Sequence, residues 1–164
     1  KNRVKVLIFF DIGGSMDPYV RVCEELFSAA RSEFKHLEFY YFHNFIYESV
    51  WKNNFRRWSE RTPIWDIIHK FGKDYRVIFV GDASMSPYEI QAVGGSVEHF
   101  NEEPGAVWMQ RLTQHFQKLV WLNPEPQRAW SGTQSILQAR QLVGDRMYPL
   151  TIKGIEDGMK YLSK

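Results

Sequence analysis

The feature that most constrains the fold is an almost unbroken apolar run at residues 4–10, which leads directly into Asp11. A strand with one solvated face alternates apolar and polar residues, whereas a strand covered on both faces is apolar throughout. The run therefore predicts a central strand of a parallel sheet. Because parallel neighbours need long crossover connections, we expect the rest of the chain to alternate strands with helices.

The remaining hydrophobic patterns follow that alternation. Apolar residues at helical spacing indicate amphipathic helices, and short aromatic or β-branched runs indicate strands. A further helix is expected after Ser86, which forms a capping box with Glu89. The predicted strands are residues 4–10, 37–43, 45–51, 75–80, 118–122 and 147–150, and the other predicted helices are residues 17–33, 64–71, 104–116, 134–143 and 152–162.

Two aromatic-rich runs, residues 37–43 and 45–51, are separated only by Asn44 and predict a hairpin whose second strand lies at the sheet edge. Residues 52–61 are expected to form a polar loop. The fold class predicted for residues 1–164 is α/β, one domain with a doubly wound, mostly parallel sheet and one antiparallel edge strand, Rossmann-like in arrangement.

Composition excludes several classes of protein. The formal charge of the 164 residues is only +2, which argues against a nucleic-acid partner. A single cysteine, Cys23, permits no internal disulfide, and no apolar run is long enough to span a membrane. We therefore expect a cytoplasmic domain without a membrane partner. Because the chain begins at Lys1 and enters a strand almost at once, we expect it to be excised from a longer protein.

Four oxygen-bearing side chains mark a candidate metal site. Asp11 and Ser15 follow the first strand, Thr62 begins the helix of a later connection, where it is also a suitable N-cap, and Asp82 ends a later strand. In an open α/β sheet, the carboxyl ends of the strands near the reversal of strand order are where ligands bind. Carboxylate and hydroxyl oxygens suit a hard cation, so the pattern predicts Mg²⁺, or Mn²⁺ or Ca²⁺, at this edge.

The same residues resemble a known family. Residues 11–16 read D-I-G-G-S-M, which is similar to the D-x-S-x-S opening of the metal-ion-dependent adhesion site of von Willebrand factor A domains. Thr62 and Asp82 fit the later threonine and aspartate of that motif. Residues 121–124, W-L-N-P, and residues 145–150, D-R-M-Y-P-L, resemble the CoxE-like bacterial branch. The resemblance extends over nearly the whole chain.

The resemblance implies a module that binds proteins and is not an enzyme. A metal at such a site accepts an acidic group of a partner, and CoxE-like domains act beside MoxR-type AAA+ ATPases. This chain departs from the motif at Gly13, where a serine ligand is usual. A fifth donor must then come from water or the metal affinity must fall, and Gly13→Ser is expected to tighten metal binding.

Other interpretations of these residues remain open. Asp11 and Ser15 could stabilise a turn without a metal, which leaves a metal-free scaffold that uses the same face. A phosphatase of the haloacid dehalogenase type would share a first-strand aspartate and a later Gly-Asp pair. Gly13 stands where that chemistry needs its general acid, so an aspartyl-phosphate route lacks a proton donor.

Overall fold

Strands and helices alternate along the chain. The computed structural model describes residues 4–29 and 34–164. The strands are β1 (Lys5–Asp11), β2 (His36–Phe42), β3 (Ser49–Trp51), β4 (Arg61–Pro63), β5 (Arg76–Val80), β6 (Lys118–Asn123) and β7 (Met147–Pro149). The α-helices are α1 (Asp17–Ala29), α2 (Ile64–Lys70), α3 (Tyr88–Gln91), α4 (Gly105–His115), α5 (Gln134–Leu142) and α6 (Ile152–Leu162).

The strands of the described residues form one seven-stranded sheet in the order β4-β3-β2-β1-β5-β6-β7. β2, β1, β5, β6 and β7 pair in parallel, while β3 runs antiparallel to both β2 and β4. Strand order reverses between β1 and β5. The chain adds β2, β3 and β4 on one side of β1 and then β5, β6 and β7 on its other side. The predicted fold class, a doubly wound and mostly parallel α/β sheet with an antiparallel edge, is confirmed.

Both faces of β1 are covered, which explains its unbroken apolar sequence. Leu7 and Phe9 enter a core beneath α2, α3, α4 and α5. Val6, Ile8 and Phe10 enter a second core beneath α1 and α6. Each of these five side chains is at most 1% exposed. Because its side chains alternate between the two faces, β1 is part of both cores. Burial of an apolar side chain of this size contributes about 1.5–3 kcal/mol to stability.

An aromatic stack holds the middle of the sheet in register. The rings of Phe9 and Phe79 lie 4.8 Å apart, and those of Phe79 and Trp121 lie 5.2 Å apart, across paired residues of β1, β5 and β6. Trp121 also donates its indole N–H to the carbonyl oxygen of Gly81 at 2.8 Å. The stack therefore fixes where β5 and β6 end relative to β1.

The predicted second hairpin strand, residues 45–51, is wrong over its first half, and β4 takes its predicted place at the sheet edge. Only Ser49–Trp51 belongs to β3, and Asn44 turns the chain with a φ of 62°. Phe45 and Ile46 are 1% and 0% exposed and pack in the core beside Trp121. These side chains are used for core packing, and strand pairing resumes only at Ser49.

The segment between β3 and α2 also differs from expectation. Residues 52–61 are not a loop throughout, because a 3₁₀ turn occupies Trp58–Glu60 and β4 begins at the next residue. Thr62 lies inside β4, paired with Val50 of β3. The strand pairing extends to Pro63, which occupies the N-cap position of α2 without a side-chain cap bond. Thr62 is therefore a strand residue and not the predicted N-cap.

Of the helix caps predicted at Asp17 and Thr151, the second is observed and the first is not. Asp17, expected to cap α1, is its first residue and follows a 3₁₀ turn at Gly14–Met16. The predicted end of this helix, residues 30–33, lies outside the described residues. Thr151 does cap α6, since its side-chain oxygen accepts the Gly154 N–H at 3.0 Å. Within the described ranges, none of the helices has the length and apolar character needed to cross a membrane.

The packing of α6 on β7 predicts opposite effects of two identical substitutions. A Cβ on Gly154 would stand 1.8 Å from the Pro149 carbonyl oxygen, whereas one on Gly158 would make ordinary contacts of 3.6–3.8 Å. We expect Gly154→Ala to lower the free energy of unfolding by about 1–3 kcal/mol through overpacking. Gly158→Ala should leave it unchanged or raise it by up to about 1 kcal/mol through helix propensity. Urea unfolding measures both, and equal effects would contradict this packing.

Candidate functional site

Polar side chains gather where three neighbouring strands end. Asp11 is the last residue of β1, and Asn44 and Asp82 each lie two residues beyond β2 and β5. Because the three strands are adjacent and parallel, their carboxyl ends share one edge of the sheet, at the reversal of strand order. Asp11 is 0% and Asp82 6% exposed, so the edge holds two buried carboxylates.

The two carboxylate oxygens of Asp11 have different surroundings. Oδ1 accepts the backbone N–H of Gly13 at 2.8 Å and that of Asn44 at 3.0 Å. Oδ2 is equally buried but has no hydrogen-bond partner among the residues that the structure describes. An unsatisfied buried polar group costs about 1–3 kcal/mol, and more when it is charged. Asp11 therefore fixes the turn with one oxygen, while its other oxygen takes no part in the turn.

Burial also changes the acidity of this carboxyl group. It raises the pKa of Asp11 to about 7 from an ordinary 3.8; the two backbone hydrogen bonds oppose the rise, and the negative charges of Asp82 and Glu89 add to it. A Cβ on Gly81 would stand 2.9 Å from the Cβ of Asp11, so only glycine lets the two strands approach this closely. The edge is thus dry and negative, which favours a proton or a cation.

Ser15 and Asp82 are brought into direct contact. The Ser15 hydroxyl donates to Asp82 Oδ2 at 2.5 Å, and Asp82 Oδ1 accepts the Ser84 N–H at 3.1 Å. A hydroxyl that donates its proton keeps its lone pairs for another partner. Ser15 is an exposed residue, whereas Asp82, its partner in this bond, is buried.

Side chains from the second half of the chain hold the loop that carries Asp82. Ala83 has a φ of 55°, which is costly for a residue other than glycine. Asn123 donates to the carbonyl oxygen of Asp82 at 2.9 Å, and Ser135 donates to that of Ala83 at 2.6 Å. These bonds from β6 and α5 stabilise the backbone of the strained turn that carries Asp82.

Asn44 and Glu89 are site residues that the sequence did not reveal. Asn44 Nδ2 donates to Glu89 Oε1 at 2.9 Å, and Glu89 is only 6% exposed. Glu89 was expected to complete a capping box, but its carboxylate faces Asn44 instead. Asn44 could have been found, because asparagine tolerates positive φ and this one follows a strand at the same sheet edge. No sequence signal gives the orientation of Glu89 on its four-residue helix.

Thr62 is not brought to this group. It pairs with Val50 in β4, and β3 and β2 separate it from β1. Three strand spacings correspond to about 14 Å, which exceeds the reach of two side chains that share a cation. Asp11, Ser15 and Asp82 thus form the compact part of the predicted set, while a metal-binding role for Thr62 stays a prediction.

Charged side chains alone do not form a metal site among the described residues. No group of three His, Cys, Asp or Glu side chains within residues 4–29 and 34–164 has an arrangement that could hold a metal. Any cation at the strand ends would therefore need neutral oxygens beside the Asp11 and Asp82 carboxylates. Hydroxyl and amide oxygens of this kind are suitable ligands for hard cations such as Mg²⁺.

Comparison with known proteins identifies no family for this chain. No family model matches the chain, and no curated protein or solved structure matches it. Function must therefore be inferred from the residues at the strand ends and from the motif that they form.

The surroundings of Asp11 predict a pH dependence of stability. Its folded-state pKa is raised, so between pH 4 and 7 the native state keeps a proton that the unfolded chain has lost, and stability falls as pH rises. Asp11→Asn removes this effect and keeps an acceptor oxygen. We compare the free energies of unfolding of the variant and of wild type in EDTA by urea unfolding. From pH 5 to pH 8, the difference between them should shift in favour of the variant by about 2–3 kcal/mol. Asp17→Asn, at an exposed carboxylate, is the control and should show no such gain.

Proposed function

We propose that this chain is a divalent-metal-dependent protein-binding module. Asp11, Ser15 and Asp82 would hold the ion at the carboxyl edge of the sheet, and an acidic group of a partner protein would complete its coordination. The proposal combines the resemblance of residues 11–16 to the metal-ion-dependent adhesion site with the grouping of these three side chains at the reversal of strand order.

One observation carries the proposal: Asp11 Oδ2 is buried and has no hydrogen-bond partner among the described residues. A purely structural aspartate at a turn would be expected to satisfy both oxygens with N–H or O–H donors. Oδ1 does this, accepting two backbone N–H groups. An oxygen with no donor, on a carboxyl group that is also exposed to the negative charge of Asp82, is instead suited to a cation.

The residues present fit a hard cation by their chemistry. Asp11 supplies an anionic oxygen held by the end of β1, and Ser15 supplies a hydroxyl oriented by its bond to Asp82. A bound Mg²⁺ would supply a Lewis-acidic position with high affinity for a carboxylate oxygen. The exposed Ser15 lies on the side from which a partner can approach, whereas the buried Asp11 does not.

The partner is proposed from the resemblance and from charge. Two carboxylates and neutral oxygens leave a divalent ion short of anionic ligands, so a glutamate or aspartate of another protein is a suitable complement. The CoxE-like resemblance of residues 121–124 and 145–150 makes a MoxR-type AAA+ ATPase the first partner to test. If the ion is dispensable, the same face would act as a metal-free scaffold.

Metal binding should raise thermal stability through Asp11. A ligand that binds only the folded state at one hundred times its Kd stabilises by about 2.7 kcal/mol, which is about 5–10 °C for a domain of this size. We expect Mn²⁺ or Mg²⁺ to produce such a shift in wild type and in Asp17→Asn, and EDTA to reverse it. Asp11→Asn should show no shift. If millimolar metal does not raise the melting temperature of wild type, the proposal is wrong.

Partner binding should require both the ion and Asp11. A MoxR-type ATPase encoded beside the gene for this protein is tested in pull-downs with the wild type, Asp11→Asn and Asp17→Asn, in Mg²⁺ and in EDTA. Capture is expected for wild type and Asp17→Asn in Mg²⁺, with at least a tenfold loss in the other conditions, equivalent to about 1.4 kcal/mol. Equal capture in EDTA and by Asp11→Asn would favour the metal-free scaffold.

A further inference from the structure

We propose that the side-chain amide oxygen of Asn44 is a further ligand of the site and that Glu89 positions it. This inference rests on the proposed function, because it assigns another donor to the same cation. It replaces the expectation that water alone makes up for the missing side chain at Gly13.

The first support is the location of the amide oxygen. Asn44 follows β2 in a left-handed conformation, with a φ of 62°, and its backbone N–H donates to Asp11 Oδ1. Its side-chain oxygen lies 2.5 Å from the point at which a Cβ on Gly13 would stand, and Asp11 Oδ1 lies 3.1 Å from that point. The amide oxygen thus fills the space beside Asp11 that a serine at position 13 would occupy.

The second support is that the orientation of the amide is fixed. Asn44 Nδ2 donates to Glu89 Oε1 at 2.9 Å. A rotated amide would turn its oxygen toward that carboxylate, where two acceptors would repel. Glu89 is itself held, since Tyr47 donates its hydroxyl to the Glu89 carbonyl oxygen at 2.6 Å. Glu89 therefore directs the Asn44 oxygen toward Gly13 and Asp11.

The third support is that two hydrogen-bond acceptors, one on Asp11 and one on Asn44, lie close to the same point. Oδ1 of Asp11 and Oδ1 of Asn44 lie near one point, and neither oxygen carries a proton when Asp11 is ionised. The backbone N–H groups of Gly13 and Asn44 satisfy Oδ1, so the same carboxylate keeps one unpartnered oxygen, Oδ2, for a cation. A cation held by the Asp11 carboxylate would attract the amide oxygen of Asn44, which is a suitable neutral ligand for it.

The assignment reverses the simple expectation for Gly13→Ser. Gly13 has a φ of −62°, so a serine is compatible with the backbone, but its Cβ would collide with the Asn44 oxygen. The serine should therefore displace the amide and weaken metal binding when Asn44 is present. Once Asn44 is replaced by glycine, which tolerates positive φ, the serine hydroxyl has room to supply the missing oxygen.

The experiment is a double-mutant cycle with Mn²⁺ as the probe, read by isothermal titration. Asn44→Gly and Gly13→Ser should each weaken binding about tenfold or more, the loss typical of a disturbed metal shell. The double variant should bind more tightly than either single variant. Asn54→Gly, in the exposed loop after β3, is the matched control and should bind as wild type does. Thermal melts in EDTA establish that each variant folds.

A measurement on the unaltered protein complements the cycle. In a Mg²⁺ titration followed by NMR, the side-chain carbonyl carbon of Asn44 should shift saturably, while that of Asn54 should not. Wild-type affinity in a folded Asn44→Gly variant, or an Asn44 carbonyl carbon that does not respond to saturating Mg²⁺, overturns the ligand assignment alone. Absence of Mn²⁺ binding by wild type overturns the proposed function and this inference together.

Discussion

A carboxylate removed from water at the end of the central strand determines much of what surrounds it. Asp11 can be buried only because two backbone N–H groups stabilise Oδ1 and because Gly81 leaves space for its Cβ on the neighbouring strand. The aromatic stack across β1, β5 and β6 holds those strands in the necessary register. What these contacts leave unsatisfied is Oδ2, the oxygen on which the proposed cation site depends.

The turn interpretation and the ligand interpretation of residues 11–15 prove compatible. Asp11 Oδ1 stabilises the turn, while Oδ2 takes no part in it. The role of glycine is also different from the expected one. Gly13 has an ordinary negative φ, so the turn does not need its conformational freedom; what it provides is room for the Asn44 side chain. The glycine at position 13 thus leaves space that the Asn44 oxygen, from the turn after β2, occupies.

Sequence patterns predicted the parts of this site that depend on strand ends. The apolar run of β1 places Asp11, and the buried run of β5 places Asp82, because periodicity identifies strands and parallel strands end at one edge. Patterns failed where side-chain packing decided the conformation. Burial of Phe45 shortened β3, strand pairing drew Thr62 into β4, and Glu89 turned inward to Asn44 instead of capping its helix. Such choices depend on contacts between distant segments, which local spacing does not encode.

The strained turn at Ala83 bears on how the site forms during synthesis. Asp11, Ser15, Asn44 and Asp82 all belong to the first half of the chain, whereas Asn123 and Ser135, which hold the Asp82 turn, belong to the second. A nascent chain therefore contains every proposed ligand well before it contains the groups that orient the last of them. Until β6 and α5 emerge from the ribosome and dock, these side chains are present without the two hydrogen bonds that hold the Asp82 turn in its strained conformation.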